Sequence, residues 1–141
     1  MSAVAVVYWS GTGNTEMMAQ AVAAGAQEAG AAVTLCTAAE FDAALLGQFA
    51  AVAFGCPAMG AEELEEAEFA PLFSACEGAL SGKKLGLFGS YGWGDGEWIR
   101  TWEDTCRGDD AVLAAEPVIC QEAPDEDALA ACRALGAALA G

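Results

Sequence analysis

Apolar residues gather in short runs along this chain, at residues 3–9, 32–37, 50–55, 84–89 and 112–120, the last less regular. Most runs are continuously apolar rather than alternating, as expected of strands buried on both faces of a parallel sheet. Segments that suit helices lie between them, at residues 15–29, 62–80, 97–107 and 125–140. Residues 38–48 suit a short helix. Alanine, with Leu and Met, fills these segments, and all three are good helix formers. The alternation predicts one α/β domain over residues 1–141, with helices on both faces of a parallel sheet. No repeat, linker or low-complexity tail interrupts it.

Ligands of such sheets bind beyond the carboxyl ends of the strands. Three loops leave strand ends there, at residues 10–15, 56–63 and 90–98. The first reads Ser10-Gly11-Thr12-Gly13-Asn14-Thr15 and opens a helix. Backbone N–H groups at a helix start are unpaired and favour an anion. Glycines allow close backbone approach, and Ser10, Thr12, Asn14 and Thr15 add side-chain donors. An ordinary helix cap also accounts for Asn14 and Thr15. A nucleotide P-loop is excluded, because no Gly-Lys-Ser/Thr end is present. A dinucleotide fingerprint matches poorly, since Glu16 stands where the third glycine belongs. The chain's cations are Lys83, Lys84, Arg100, Arg107 and Arg133, all outside the loop. Neutral donors would therefore have to hold the anion.

In the second loop Pro57 and Gly60 mark turns, with Met59 between them, where a methionine is more often incidental packing than a ligand contact. In the third, Tyr91 and Trp93 stand among glycines, where exposed aromatics usually have something to stack on. Trp98 and Trp102 follow on the next helix, and core packing is the expectation for both. Together the loops offer a phosphate cradle, an aromatic face and a polarizable methionine. That set suits a planar ring system with a phosphate tail.

Charge narrows the partners. There are 5 basic and 21 acidic residues and no histidine, for a net charge of −16. Nucleic acid is a poor partner, because no basic patch could neutralise phosphates. A basic protein surface is a better one, and the same charge favours a monomer. The missing histidine removes the commonest general base and metal ligand. Six cysteines show no C-x-x-C spacing, so they read as buried reduced thiols of a cytoplasmic protein rather than a metal site. Neither a signal-peptide pattern nor a membrane-length apolar run is visible, so no membrane role is expected.

The residues 10–15, Cys56-Pro57-Ala58-Met59-Gly60 and Gly89-Ser90-Tyr91-Gly92-Trp93-Gly94 resemble the short-chain flavodoxins of anaerobic bacteria, from the first strand to the last helix. The resemblance implies a flavodoxin-like, five-stranded parallel sheet of order 2-1-3-4-5. It implies noncovalent FMN, with the phosphate on residues 10–15 and Ser90 nearby. Met59 and Trp93 would flank the ring, Glu62 would accept a hydrogen bond from the flavin N3–H, and backbone groups of Ala58, Gly60 and Gly92 would contact the flavin. Pro57, Tyr91 and Gly94 complete the expected cofactor-binding set. Pro57 replaces a hydroxyl residue of some relatives, which would remove one phosphate contact. Ala61 replaces a polar or acidic one, which alters the contacts there.

A mobile low-potential carrier is implied, one that shuttles between semiquinone and hydroquinone and is able to stand in for ferredoxin. In the family the peptide after Met59 turns over on one-electron reduction, and Gly60 tolerates both turn types. Glu62, Glu63, Glu65, Glu66, Asp95 and Glu97 would crowd negative charge around a ring that full reduction makes negative. One such charge about 10 Å away costs roughly 1.7 kcal/mol at an effective dielectric of ~20, on the order of 70 mV for one electron. A solvated helix start that favours acids also accounts for residues 62–68. Expected partners are ferredoxin- or flavodoxin-dependent reductases and dehydrogenases with basic docking faces. One rival is an FMN-dependent quinone or NADPH reductase. It would need an open pocket over the ring, and no arginine lies in these loops to hold a nicotinamide phosphate. A phosphoacceptor signalling domain is the other, and it lacks the acids it would need where the first strand ends in Tyr8-Trp9-Ser10.

Overall fold

A computed structural model describes residues 3–11, 13–59, 64–92 and 96–141. Four strands form where the apolar runs lie: β1 (Ala3–Tyr8), β2 (Ala32–Thr37), β3 (Ala51–Gly55) and β4 (Lys84–Tyr91). The fifth run divides into β5 (Val112–Leu113) and β6 (Val118–Gln121). Both pair parallel to β4, β5 beside its start and β6 beside its end. The sheet order is β2-β1-β3-β4-β5, with β6 in the same lane as β5. The expected order is thus present, with its last strand in two pieces. Pro117 lies in the break and has no N–H to give the ladder.

The helices are α1 (Asn14–Glu28), α2 (Phe69–Cys76), α3 (Glu97–Gly108) and α4 (Glu126–Ala140). Two expectations are corrected. Residues 38–48 form two 3₁₀ turns, Ala38–Glu40 and Ala43–Gln48, rather than one helix. Local side chains compete with a continuous helix there: Glu40 accepts the Thr37 N–H at 2.8 Å and Asp42 accepts that of Ala44 at 2.9 Å. The helix expected over residues 62–80 starts only at Phe69 and ends in a 3₁₀ turn, Glu77–Ala79. Residues 62 and 63 lie outside the described residues.

Both faces of the central strands β1, β3 and β4 are buried, which explains their unbroken runs, whereas the edge strand β2 is largely exposed. Along β1, Val4 and Val6 pack toward α1 and α4, while Ala5 and Val7 pack toward α2 and α3. On the second face Phe54 meets Phe69 and Phe73 edge-on, and both of those meet Trp102 the same way, with centroids 5.4–6.2 Å apart. On the first face α1 and α4 approach closely at Gly25 and Gly136. A Cβ on Gly25 would overlap the Arg133 carbonyl, and one on Gly136 the Val22 carbonyl. Among the described residues no helix is long and apolar enough to cross a membrane.

Candidate functional site

Tyr8 and Gly55, the last residues of β1 and β3, stand in register with Phe88 of β4, which runs three residues further to Tyr91. The chain lays β2 on one side of β1 and β3 on the other, so the winding reverses at this edge. A crevice opens at such a switch point. The three loops singled out by sequence all begin here.

The first loop is built around an open helix start. Gly13 is the N-cap of α1 in the left-handed region, φ 94°, and no side chain caps the helix. The Ser10 hydroxyl accepts the Gly13 N–H at 3.0 Å, which folds the loop back on itself. Gly11 is exposed, Asn14 is partly buried and Thr12 lies outside the described residues. Thr15 is 1 % exposed. Its Oγ1 is buried with no hydrogen-bond partner. Such a group costs about 1–3 kcal/mol when unpaired. The left-handed glycine, the helix start without a side-chain cap and the orphaned hydroxyl fit a phosphate group.

The second and third loops are tied together. The Ala58 N–H donates to the Ser90 carbonyl at 3.1 Å, and the Cys56 N–H donates to that of Phe88 at 3.1 Å. Trp98 is buried, and its Nε1 donates to the Cys56 carbonyl at 3.1 Å. Tyr91 packs on Trp98 with centroids 5.6 Å apart, and Gln121 Nε2 donates to the Gly92 carbonyl at 3.3 Å. Pro57, Ala58 and Met59 are partly buried, Ser90 is buried and Gly92 is exposed. Gly60, Glu62, Trp93 and Gly94 lie outside the described residues. So do Ala61, Glu63 and Asp95. The structure therefore gathers Ser10, Gly13, Thr15, Ala58 and Ser90 along one sheet edge. Tyr91, partly buried, leans on Trp98 at a tilt of 53°. Trp98 and Trp102 are core residues, as expected.

Glu65 differs from the sequence reading. It was expected on a solvated acidic rim, yet it is 7 % exposed. Its carboxylate accepts the N–H groups of Ala67, Glu68 and Phe69 at 2.7–2.9 Å. Burial pushes this acid up, but the N–H donors of Phe69, Glu68 and Ala67 outweigh it and hold the carboxyl below its ordinary value. Those bonds delay α2 to Phe69. Glu66 and Glu97 are exposed, as a rim requires. Sequence reading also missed that the Glu68 carboxylate accepts the Trp9 Nε1–H at 3.0 Å, bracing the end of β1 against α2. Only the count of residues between Glu65 and the apolar start of α2 hints at the cap, and nothing in the sequence signals the Trp9 contact.

All six cysteines are free thiols. Burial pushes Cys56, Cys106 and Cys132 up to about 12, so they stay protonated and unreactive. Among the described residues no cluster of ligating side chains could hold a metal.

The family model described as flavodoxin matches residues 6–136. A flavodoxin of Clostridium beijerinckii is 46 % identical over 86 % of this chain and 88 % of its own. A flavodoxin of Megasphaera elsdenii is 41 % identical, with 97 % and 98 % covered. The solution structure of the two-electron reduced Megasphaera elsdenii flavodoxin superposes with a TM-score of 0.89 at 42 % identity, covering 97 % of this chain and 98 % of that one. By the family model over residues 6–136 and by these relatives, the chain belongs to the flavodoxin family, and it is a low-potential electron carrier that uses FMN rather than an enzyme.

Proposed function

We propose that Ser10, Gly11, Thr12, Gly13, Asn14 and Thr15 hold the FMN phosphate, and that the other two loops enclose the flavin ring. The second loop contributes Pro57, Ala58, Met59, Gly60 and Glu62. The third contributes Ser90, Tyr91, Gly92, Trp93 and Gly94. The observation that carries this reading is the buried, unpartnered Thr15 Oγ1 at the uncapped start of α1. Bound FMN supplies the one-electron chemistry, while the protein sets affinity and potential. Met59 and Trp93 exclude water from the ring faces. Glu62 would accept the ring N3–H and, with the exposed Glu66 and Glu97, would make a further negative charge unfavourable.

The partners are redox enzymes with basic docking faces, steered by the net charge of −16. The protein acts as a one-domain monomer in the cytoplasm, a location supported by its six free thiols. Such a carrier is able to serve where a ferredoxin otherwise would.

Stepwise anaerobic reduction of the FMN-loaded protein, followed by its visible spectrum, tests the reading. Two separated one-electron steps, the second needing a strong reductant, are expected. A single two-electron step would point to the reductase alternative, and no flavin uptake would sink the assignment. Reduction of a basic acceptor protein should slow as salt rises; indifference to salt would remove the steering role.

A further inference from the structure

Cys56 has no part in the site so far, yet its thiol is fully buried between the two ends of the ring-facing loop. Its Sγ accepts the Glu65 N–H at 3.3 Å and donates to the Pro57 carbonyl at 3.5 Å. Pro57 and Glu65 bound the span that carries Met59, Gly60 and Glu62. Each end is itself anchored. The Cys56 backbone is held by Phe88 and by the Trp98 indole, both part of the buried core. Glu65 is locked onto the start of α2 by three N–H bonds to its carboxylate and by the Ala70 N–H on its carbonyl at 2.8 Å.

We propose that Cys56 is a positioning residue: its thiol joins the end of β3 to the start of α2 and so sets the path of the loop that faces the flavin. This rests on the cofactor assignment above. A cysteine is usually a small buried hydrophobe, but alanine in its place would leave the buried Glu65 N–H without an acceptor. Serine would retain one. The thiol keeps the proton it donates, because burial pushes Cys56 up to about 12.

The test compares Cys56→Ala and Cys56→Ser with the wild-type protein, all loaded with FMN. Neither substitution changes the charge near the flavin. In Cys56→Ala the FMN Kd should weaken about tenfold, the scale of one unmade buried hydrogen bond. The potential of the last electron should move toward that of free FMN. Cys56→Ser should recover most of both. Wild-type affinity and potential in Cys56→Ala would overturn the proposal and reduce Cys56 to packing. Should Cys56→Ala fail to fold, amide exchange on the wild-type protein decides. Slow exchange at Glu65 beside fast exchange at the exposed Glu66 is expected, and equal rates would overturn the clasp. If the wild-type protein takes up no FMN, the cofactor assignment falls while the exchange measurement still judges the clasp.

Discussion

Helices α1 and α4 are matched in most respects. Each has 15 residues, and they lie against each other on the same sheet face. They differ at their starts. α4 is closed from within: Asp125 Oδ1 accepts the Ala128 N–H at 2.8 Å, and Glu126 and Asp127 add negative charge to the first turn. α1 has a left-handed glycine, no side-chain cap and the orphaned Thr15 hydroxyl. A helix that supplies its own carboxylate gains stability and has little left to offer an anion. One left open forgoes that stability and retains donors for a ligand. α2 belongs with α4, because Glu65 supplies its acceptors.

The harshest way to break the contrast is to give α1 a carboxylate of its own. Ser10→Asp should weaken FMN binding about a thousandfold, since like charges about 4 Å apart repel by roughly 4 kcal/mol at an effective dielectric of ~20. The apoprotein should be no less stable to urea. An FMN Kd within tenfold of wild type would place the phosphate elsewhere. Thr15→Val is gentler and should separate two effects. FMN affinity should fall about 10- to 100-fold, the range for a hydrogen bond to a charged group of about 1.5–3 kcal/mol. The apoprotein should lose nothing, because the deleted hydroxyl has no partner there. Fluorescence titration and urea unfolding read the two effects, and parallel losses in both would show that Thr15 is merely structural. Asp125→Ala should give the mirror result. About 1 kcal/mol of stability is lost with the cap, and the FMN Kd stays put; a changed Kd would contradict the division of labour.

The smallest effects concern pH and α2. Glu65 is held below its ordinary value, so the stability it contributes is present above that value and is lost as pH falls through the lowered one. Glu77, in the 3₁₀ turn after α2, is raised by burial and then by the neighbouring Asp109 carboxyl. Its contribution is present below the ordinary value and is lost as pH rises through the raised one. Glu65→Gln should therefore flatten the acid side of the apoprotein's stability profile, and Glu77→Gln should raise stability at neutral pH. Unaltered profiles would show that neither carboxyl is linked to folding.

The parts of the fold that were legible share one physical cause. Continuous runs such as Val4–Val7, buried on both sheet faces, have no reading other than an interior strand, and the glycine and hydroxyl crowding at residues 10–15 has few uses. The failures share a cause too. At residues 38–48 and 64–68, short-range side-chain bonds from Glu40, Asp42 and Glu65 overrode helix propensity. An acid in a run of acids reads as solvated until burial shows otherwise, and Glu65 is such a case.

By itself, then, the sequence determined the order of elements, the burial of the central strands on both faces and the loop proposed for a phosphate. These follow from local pattern and residue chemistry. Tertiary structure alone decided that Thr15 Oγ1 is left without a partner, that Trp9 reaches Glu68 across the chain, and that one thiol spans from Pro57 to Glu65. The last two depend on groups that meet only when β1, β3 and α2 pack together. Which hydrogen bonds are made, and which are left for a ligand, is a property of that packing and not of residue order.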